Sequence, residues 1–249
     1  MAPAQRTAFL AELAADDAAL AAEVRGLLAA DAEAEDFLEG GAHPAWAGRR
    51  FGPWRVVGEV ARGGMGIVLL GERADGRYDA RVAIKVLNTA YRDGLAARFR
   101  TEGRILAELD HPNIARLLDA GTTDRGRPFF VMELVVGPPL ATLCRQRELP
   151  LEQRIELFLQ VLDATQHAHQ KAVIHRDLSS SNVLTAEIDG RIQPKIIDFG
   201  IAKSLADPLL QGGAMTFQGT MMGTPEFMSP EQAEGRTNDI DTRADVYSL

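Results

Sequence analysis

The hydrophobic pattern of this chain changes its period near Pro138, and this change constrains the fold more than any other feature. Before it, short apolar runs rich in β-branched residues are bounded by Gly, Asp or Pro, as strands are. These runs are Val56–Val60, Ile67–Leu70, Val82–Leu87 and Phe129–Val136. After it, apolar residues recur at three- and four-residue steps, which is typical of helices. The sequence therefore predicts an α+β fold in which a small sheet lobe is joined to a helical lobe.

Two longer helices are predicted, one in each lobe. The first runs from about Leu95 to Leu109 and ends before His111-Pro112, because the residue before a proline disfavours helical backbone. Its predicted inward face is formed by Phe99, Ile105, Leu106 and Leu109. The second runs from Leu151 to Ala172, which is long enough for a central buried helix. Its predicted buried face is formed by Ile155, Phe158, Leu159 and Leu162.

Residues 1–45 are predicted to form a helical extension and linker. Apolar residues between Ala4 and Phe37 recur at helical steps with acids between them, which favours two short amphipathic helices. Breakers replace this periodicity from Glu39 to Arg50. A second domain is predicted over residues 51–249, with an N-lobe over 51–137 and a C-lobe over 138–249.

Composition and charge restrict the function classes. The net charge of −8 argues against nucleic-acid binding, because phosphate backbones are held by clustered Lys and Arg. No apolar run approaches the roughly 20 residues that span a bilayer, so no membrane segment is predicted in this chain. The start lacks the features of a secretory signal, and the single cysteine, Cys144, cannot form an internal disulfide. We therefore expect a cytoplasmic location.

A glycine loop and a strand lysine point to phosphate binding. The run from Gly63 to Gly66 lies between two predicted strands, where glycines let backbone amides approach a phosphate; an ordinary glycine-rich turn is the alternative. Lys85 lies inside an otherwise apolar strand, where an ammonium needs a partner. Glu102 on the next helix could pair with it and hold the amine towards phosphates, or the two could form a plain surface ion pair.

Two polar segments follow in the predicted helical lobe, His175–Asn182 and Lys195–Gly200. Taken singly, Asp177 could cap a turn, Asn182 could bond its own backbone and Asp198 could begin another turn. In order behind the glycine loop, the strand lysine and the helix glutamate, they resemble the catalytic and metal-binding loops of protein kinases. The resemblance is to bacterial protein Ser/Thr kinases. It implies a bilobal fold with an antiparallel N-lobe sheet, one N-lobe helix and an incomplete helical C-lobe.

The resemblance implies ATP and Mg²⁺ as cofactors and assigns roles to the matching residues. Asp177 would orient the substrate hydroxyl and accept its proton, with Glu102 and Arg176 among the catalytic set. Asn182 and Asp198 would bind Mg²⁺. Met132 would guard the back of the adenine pocket, although core packing also explains such apolar residues. The implied nucleotide contacts are Val60, Ala61, Gly63, Gly64, Gly66, Val68, Ala83, Lys85, Met132, Glu133, Val135 and Leu184.

The segment Thr224–Glu231 resembles the substrate-docking end of a Ser/Thr kinase activation segment. It implies a protein substrate with Ser or Thr hydroxyls. Thr216 and Thr220 are predicted phosphorylation sites, with self-association for autophosphorylation and with Arg176 binding the phosphate. Both threonines could instead be ordinary solvated loop residues.

Three departures from the family pattern affect the predicted activity. Ala61 stands where the first loop glycine is usual, and Ser179 stands where Ser/Thr kinases place a lysine that contacts the γ-phosphate. Asp245–Leu249 resembles only the beginning of the helix that organises the large lobe, and Asp245 would bond the backbone of the catalytic loop. The alternative function is therefore a nucleotide-binding pseudokinase or scaffold. A small-molecule phosphotransferase is a third candidate, which the docking segment disfavours.

Overall fold

The computed structural model describes residues 46–63, 66–88, 95–199, 225–236 and 239–249, with the backbone alone for a few of these, residue 102 among them. These residues belong to one compact unit, Trp46–Leu249. Its strands are β1 (Arg50–Phe51), β2 (Trp54–Gly63), β3 (Gly66–Arg73), β4 (Arg81–Leu87), β5 (Leu117–Thr122), β6 (Pro128–Glu133), β7 (Val183–Ile188) and β8 (Arg191–Ile196). Its α-helices are α1 (Leu95–Ala107), α2 (Leu140–Gln146), α3 (Leu151–Gln170), α4 (Pro230–Ala233) and α5 (Thr242–Ser248).

Several predictions concern residues outside this description. They are the two helices of the N-terminal extension, the loop glycine Gly64, the docking residue Thr224, and the phosphorylation sites Thr216 and Thr220. The side chain of Glu102 is also outside it, although its backbone lies in α1.

An antiparallel sheet of six strands, in the order β1-β2-β3-β4-β6-β5, forms the N-lobe. The register places Ala83 of β4 opposite Leu70 of β3 and opposite Met132 of β6. Lys85, two residues further along β4, lies opposite Val68. Because side chains alternate between the two faces of a strand, Ala83 and Lys85 share one face of the sheet. The register therefore gathers predicted nucleotide contacts on neighbouring strands.

The folded unit begins earlier than the sequence predicts. Residues 46–50 were expected in a linker, but the backbone N–H of Gly48 donates to Val56 O at 2.9 Å, and the ring of Trp46 stacks on Phe51 at 6.0 Å. Gly48 has a φ of +78°, which a glycine adopts without strain. The glycine that suggested a linker therefore makes a turn that folds the chain onto the sheet edge.

The predicted helical faces are only partly correct. On α1, Phe99 and Leu106 are buried as expected, whereas Ile105 is 39% exposed. On α3 the predicted face is wrong: Ile155, Phe158 and Leu159 are exposed among the described residues. The buried face of α3 is formed by Leu157, Val161, Ala164, Thr165 and Ala168. Small residues let the backbone of α3 approach its neighbours closely, so the largest apolar residues were a poor guide to the buried face.

The connection between the lobes runs through Gly137, Pro138 and Pro139, after β6 has ended at Glu133. Thr185 of β7 donates to Pro138 O from its backbone N–H at 3.0 Å and from its hydroxyl at 2.8 Å. A second small sheet, β7 with β8, follows the polar segment His175–Asn182. No helix within the described ranges is both long and apolar enough to cross a membrane.

Gly137 is required because the connection between the lobes passes close to the backbone of β7. A substitution at Gly137 tests this close contact. A Cβ atom at Gly137 would lie 1.9 Å from Thr185 O, a backbone atom that cannot move aside cheaply. We expect Gly137→Ala to lower the free energy of unfolding by about 1–3 kcal/mol, measured by urea denaturation. Gly58→Ala is the matched control, since nothing lies within 4 Å of its added Cβ. Equal losses in the two variants would contradict this account.

Candidate active site

An ion pair joins the N-lobe sheet to the segment after β8. Lys85 Nζ lies 3.0 Å from Asp198 Oδ1, and the two side chains are 12% and 23% exposed. The sequence predicted Glu102 as the partner of Lys85, and that side chain is outside the described residues. The structure thus brings together a predicted phosphate-binding cation and a predicted metal ligand from opposite lobes.

Asp198 is held by its local backbone. It has a φ of +59°, in the left-handed region that aspartate tolerates better than most residues. Phe199, the next residue, is buried in the core, and its ring lies 4.7 Å from the ring of His175. The backbone N–H of Ile197 donates to Asn182 O at 2.9 Å. These contacts fix the chain on both sides of Asp198.

Asn182 connects the two polar segments, because its backbone O accepts the N–H of Ile197 while its side chain bonds within its own segment. Its Nδ2 donates to Asp177 O at 2.7 Å, and its backbone N–H donates to Ser179 O at 3.0 Å. Because the amide nitrogen is used within the loop, the amide oxygen is the end that can meet a metal ion. Asp177 is only partly buried. Asp177, Asn182, Asp198 and Lys85 therefore belong to one connected set.

His175 is buried and hydrogen-bonds to both polar segments. It is 1% exposed. Its Nε2–H donates to Ile197 O at 2.9 Å, and its Nδ1 accepts the backbone N–H of Asp177 at 3.3 Å. One neutral tautomer satisfies both bonds. Burial lowers the pKa of His175, so the ring stays neutral.

Asp245 of α5 holds the backbone of the catalytic loop, as the sequence predicted. Its Oδ2 accepts the backbone N–H of His175 at 2.7 Å, and its Oδ1 accepts that of Arg176 at 2.8 Å. The Nε2 atom of His169 lies 2.8 Å from Oδ2. Arg176 has a φ of +63°, a conformation that costs energy outside glycine. The buried carboxylate stabilises that conformation.

The serine that replaces the usual lysine is enclosed. Ser179 is 4% exposed, and its hydroxyl lies 2.8 Å from the hydroxyl of Ser181. Both hydroxyls are thus used within the loop, and neither side chain carries a charge.

The predicted adenine contacts fall on neighbouring elements. Ala83 and Met132 are buried opposite each other, while Val68 and Leu184 are partly buried. A β-bridge joins Leu184 to Pro139 of the lobe connection. The remaining predicted contacts differ in exposure: Val60, Ala61 and Gly63 are exposed, Val135 is partly buried and Gly66 is buried.

Gly66 is required for the packing of β3 against β4, apart from any role in letting backbone amides approach a phosphate. Its φ is +150°, and an added Cβ would lie 2.1 Å from Val86 O on the neighbouring strand. The glycine therefore lets β3 start close against β4. This requirement exists whether or not a phosphate is bound.

Sequence reasoning missed a buried, ion-paired lysine. Lys195 Nζ lies 2.7 Å from Glu133 Oε1, with the lysine side chain 8% exposed. Glu133 also donates its backbone N–H to Arg116 O at 2.9 Å. The signal was available, because Lys195, like Lys85, is an ammonium among apolar strand residues. This pair anchors the end of β6, where adenine contacts are predicted, to β8.

The donor set fits Mg²⁺ better than a metal held by protein alone. Asp198 and Asn182 offer a carboxylate and an amide oxygen, which hard cations prefer. Among the described residues, no group of three or more His, Cys, Asp and Glu side chains could hold a metal ion. Mg²⁺ is commonly bound by one or two protein oxygens plus phosphates and water. Asn182 and Asp198 would thus hold it together with phosphate and water oxygens.

The buried His175 makes folding stability depend on pH. Burial is the largest cause that lowers the pKa of His175 below 6.5. Below that pH the unfolded chain takes up a proton that the folded chain does not, so the free energy of unfolding falls as pH falls. We expect a loss of up to about 1.4 kcal/mol per pH unit from this histidine.

Urea denaturation at about pH 7.5 and about pH 5.5 measures this loss. His175→Gln, which keeps a donor for Ile197 O, should reduce the loss between the two pH values. A variant that loses as much stability as the wild type would contradict the assignment to His175.

Comparison with known proteins places this geometry in a family. Residues 54–249 match the family described as "Protein kinase domain". The chain is 39% identical over 206 residues to the serine/threonine-protein kinase Pkn1 of Myxococcus xanthus, covering 81% of this chain and 28% of that protein. It is 38% identical over 205 residues to the serine/threonine-protein kinase PknA of Mycobacterium tuberculosis, covering 80% of this chain and 45% of that protein. The chain thus spans less than half the length of these curated relatives.

A solved structure shows the same fold. The kinase domain of Mycobacterium tuberculosis PknI superposes with a TM-score of 0.59 at 27% identity, covering 81% of this chain and 73% of that one. The antiparallel N-lobe sheet with its helix and the helices of the second lobe agree with this fold. This chain therefore belongs to the protein kinase family, and its kinase domain matches from residue 54 to residue 249.

Proposed function

We propose that this chain is the catalytic portion of an ATP- and Mg²⁺-dependent protein serine/threonine kinase. It would transfer the γ-phosphate of ATP to Ser or Thr hydroxyls of proteins, including those of a second copy of itself at Thr216 or Thr220. The observation that carries the proposal is the connected set of Lys85, Asp198, Asn182 and Asp177. A cytoplasmic location is part of the proposal.

The proposed roles follow from the chemistry of each side chain. Lys85 would hold the α- and β-phosphates, with its ammonium oriented by Asp198. Asp198 and Asn182 would hold Mg²⁺, which neutralises phosphate charge when it is bound. Ala83, Met132, Val68 and Leu184 would enclose the adenine ring, with the backbone of Glu133 and Val135 at its polar edge. Phosphoryl transfer needs mainly alignment and charge neutralisation, and this set of groups supplies both.

Asp177 would act on the substrate hydroxyl. It is partly buried in a loop whose backbone is held by Asn182, by His175 and, through Arg176, by Asp245. A carboxylate in a fixed loop can orient a hydroxyl and take its proton as the phosphate is transferred. The proposed role therefore requires both the charge and the rigidity of this position.

Removal of the Asp177 charge tests the proposal. We expect Asp177→Asn to lower the rate of phosphate transfer to a generic protein substrate by roughly 10²–10⁴-fold, because the amide cannot accept the proton. Transfer of ³²P from labelled ATP measures the rate. Asp189→Asn is the matched control, since Asp189 is exposed in the turn between β7 and β8. Equal rates for Asp177→Asn and the wild type would sink the proposed role.

The serines at positions 179 and 181 favour a second candidate function. Ser179 and Ser181 leave these two positions uncharged, and charge stabilisation at the transferring phosphate is a large share of catalysis. The second candidate is a nucleotide-binding scaffold with little or no transfer. A rise in melting temperature with Mg-ATP and no transfer by the wild-type chain would favour it over the kinase.

Introduction of a cation at residue 179 tests whether the missing charge limits transfer. We expect Ser179→Lys to raise the transfer rate by about tenfold or more, because an ammonium would be added beside the proposed base. Ser180→Lys is the control, since Ser180 is exposed in the same loop. Single-turnover transfer measures the chemical step directly. Equal gains in both variants would show a general effect of charge and contradict a specific role for residue 179.

A further inference from the structure

We propose that Gln232 is a positioning residue for the catalytic loop, and that it couples the segment Pro225–Ala233 to Asp177. The proposal rests on the proposed function, in which Asp177 acts on the substrate hydroxyl. Gln232 does not touch the proposed reacting groups; it acts through the backbone of Arg176.

The side-chain amide of Gln232 is used at both ends. Its Nε2 donates to Arg176 O at 2.7 Å. Its Oε1 lies 3.1 Å from the backbone N and 3.1 Å from the hydroxyl of Ser229, both of which can donate. Because two donors of Ser229 meet the oxygen end, the nitrogen end must face Arg176. The orientation of the amide is therefore fixed by its partners.

The backbone that carries Gln232 is also anchored. Ser229 is 1% exposed and is the N-cap of α4, which begins with Pro230. The capping box pairs Ser229 with Gln232, and Ala233 donates its backbone N–H to Ser229 O at 2.9 Å. Just before this helix, Phe227 O accepts the hydroxyl of Ser248 of α5 at 2.7 Å. The short helix thus presents Gln232 from an anchored position.

Gln232 bonds to the peptide group between Arg176 and Asp177, and this peptide group helps to set the direction of the Asp177 side chain. The peptide between Arg176 and Asp177 has its oxygen held by Gln232 and its N–H held by Nδ1 of His175 at 3.3 Å. The preceding peptide, which carries the Arg176 N–H, is held by Asp245 at 2.8 Å. The Arg176 φ of +63° is set at this preceding peptide. Rotation of the peptide between Arg176 and Asp177 would instead change ψ of Arg176 and φ of Asp177, and so would move the Asp177 carboxylate. Gln232 opposes that rotation.

The coupling is expected to affect turnover and not nucleotide binding. The segment that ends in α4 resembles the part of a kinase against which a protein substrate docks, and Gln232 is the side chain that joins it to the Arg176 carbonyl. A shift of the segment would therefore be passed to Asp177, whereas Lys85 and the adenine contacts belong to other elements. A change at Gln232 should therefore affect turnover and leave nucleotide binding unaltered.

Two variants of Gln232 test this. Gln232→Glu keeps an acceptor for Ser229 but sets a carboxylate against the Arg176 carbonyl, and Gln232→Met removes donor and acceptor without adding charge. We expect either change to lower kcat by about tenfold to a hundredfold, since small misplacements of a catalytic group have effects of this size. The KM for ATP and the rise in melting temperature with Mg-ADP should stay within about twofold of the wild type. Gln166→Glu, at an exposed position of α3, is the matched control and should leave kcat unchanged.

A pH series adds a readout that a purely structural role would not move. Protonation of the carboxyl group that Gln232→Glu introduces restores a donor, so the ratio of the Gln232→Glu rate to the wild-type rate should rise as pH falls. The Gln232→Met ratio should not. A flat ratio for both variants with kcat unchanged would overturn the inference, as would equal losses in kcat and in the nucleotide-induced rise of melting temperature.

Hydrogen exchange makes the result independent of turnover. Amides of the segment 175–179 should exchange faster in Gln232→Met than in the wild type, while those of β4 and β6 exchange at the same rate. Unchanged exchange in the loop overturns the inference even if no phosphate is transferred. Absence of both transfer and a Mg-ADP effect in the wild type would instead refute the proposed function and leave the exchange result to decide the coupling.

Discussion

The rest of the site depends on one buried carboxylate. Asp245 is 1% exposed, and a charge placed so deeply costs stability unless hydrogen bonds satisfy it. It accepts two adjacent backbone N–H groups of the catalytic loop and contacts His169 of α3. In return, the backbone of Arg176 is kept in a left-handed conformation that would otherwise be disfavoured. The direction of Asp177, and hence the proposed chemistry, follows from this arrangement.

Two ion-paired lysines lie near the candidate site, Lys195 buried and Lys85 partly buried. Lys85 pairs with Asp198, which is itself a proposed metal ligand, so this pair could exchange partners in the proposed nucleotide complex. Lys195 pairs with Glu133, whose backbone N–H is already bonded to Arg116. That second pair has no proposed substrate and joins two elements. The comparison shows why the residue type alone does not identify a catalytic lysine.

The residues of the candidate site could be proposed from the sequence because they lie in short motifs whose order along the chain resembles that of protein kinases. The register that sets Ala83 opposite Met132 was not among the predictions, since strand alternation indicates only which residues share a face. Contacts between distant elements were harder: Lys195 and Gln232 find their partners across the fold. The buried face of α3 was mistaken because Ala164 and Ala168 give a close approach that hydrophobicity does not reveal. Residues 46–50 were mistaken because Gly48 acts as a turn.

The electrostatics of the loop bear on how a nucleotide would be held. Lys85 is already paired with Asp198, and Asp177 adds a second carboxylate nearby in the connected set, while Ser179 and Ser181 contribute hydroxyls and no charge. Among these side chains the negative charges outnumber the positive ones, so they would repel a polyphosphate on their own. Divalent cations held at Asp198 and Asn182, as proposed, would reverse that balance. A serine where related kinases place a lysine would therefore make phosphate binding, and not only transfer, depend more strongly on the metal ion.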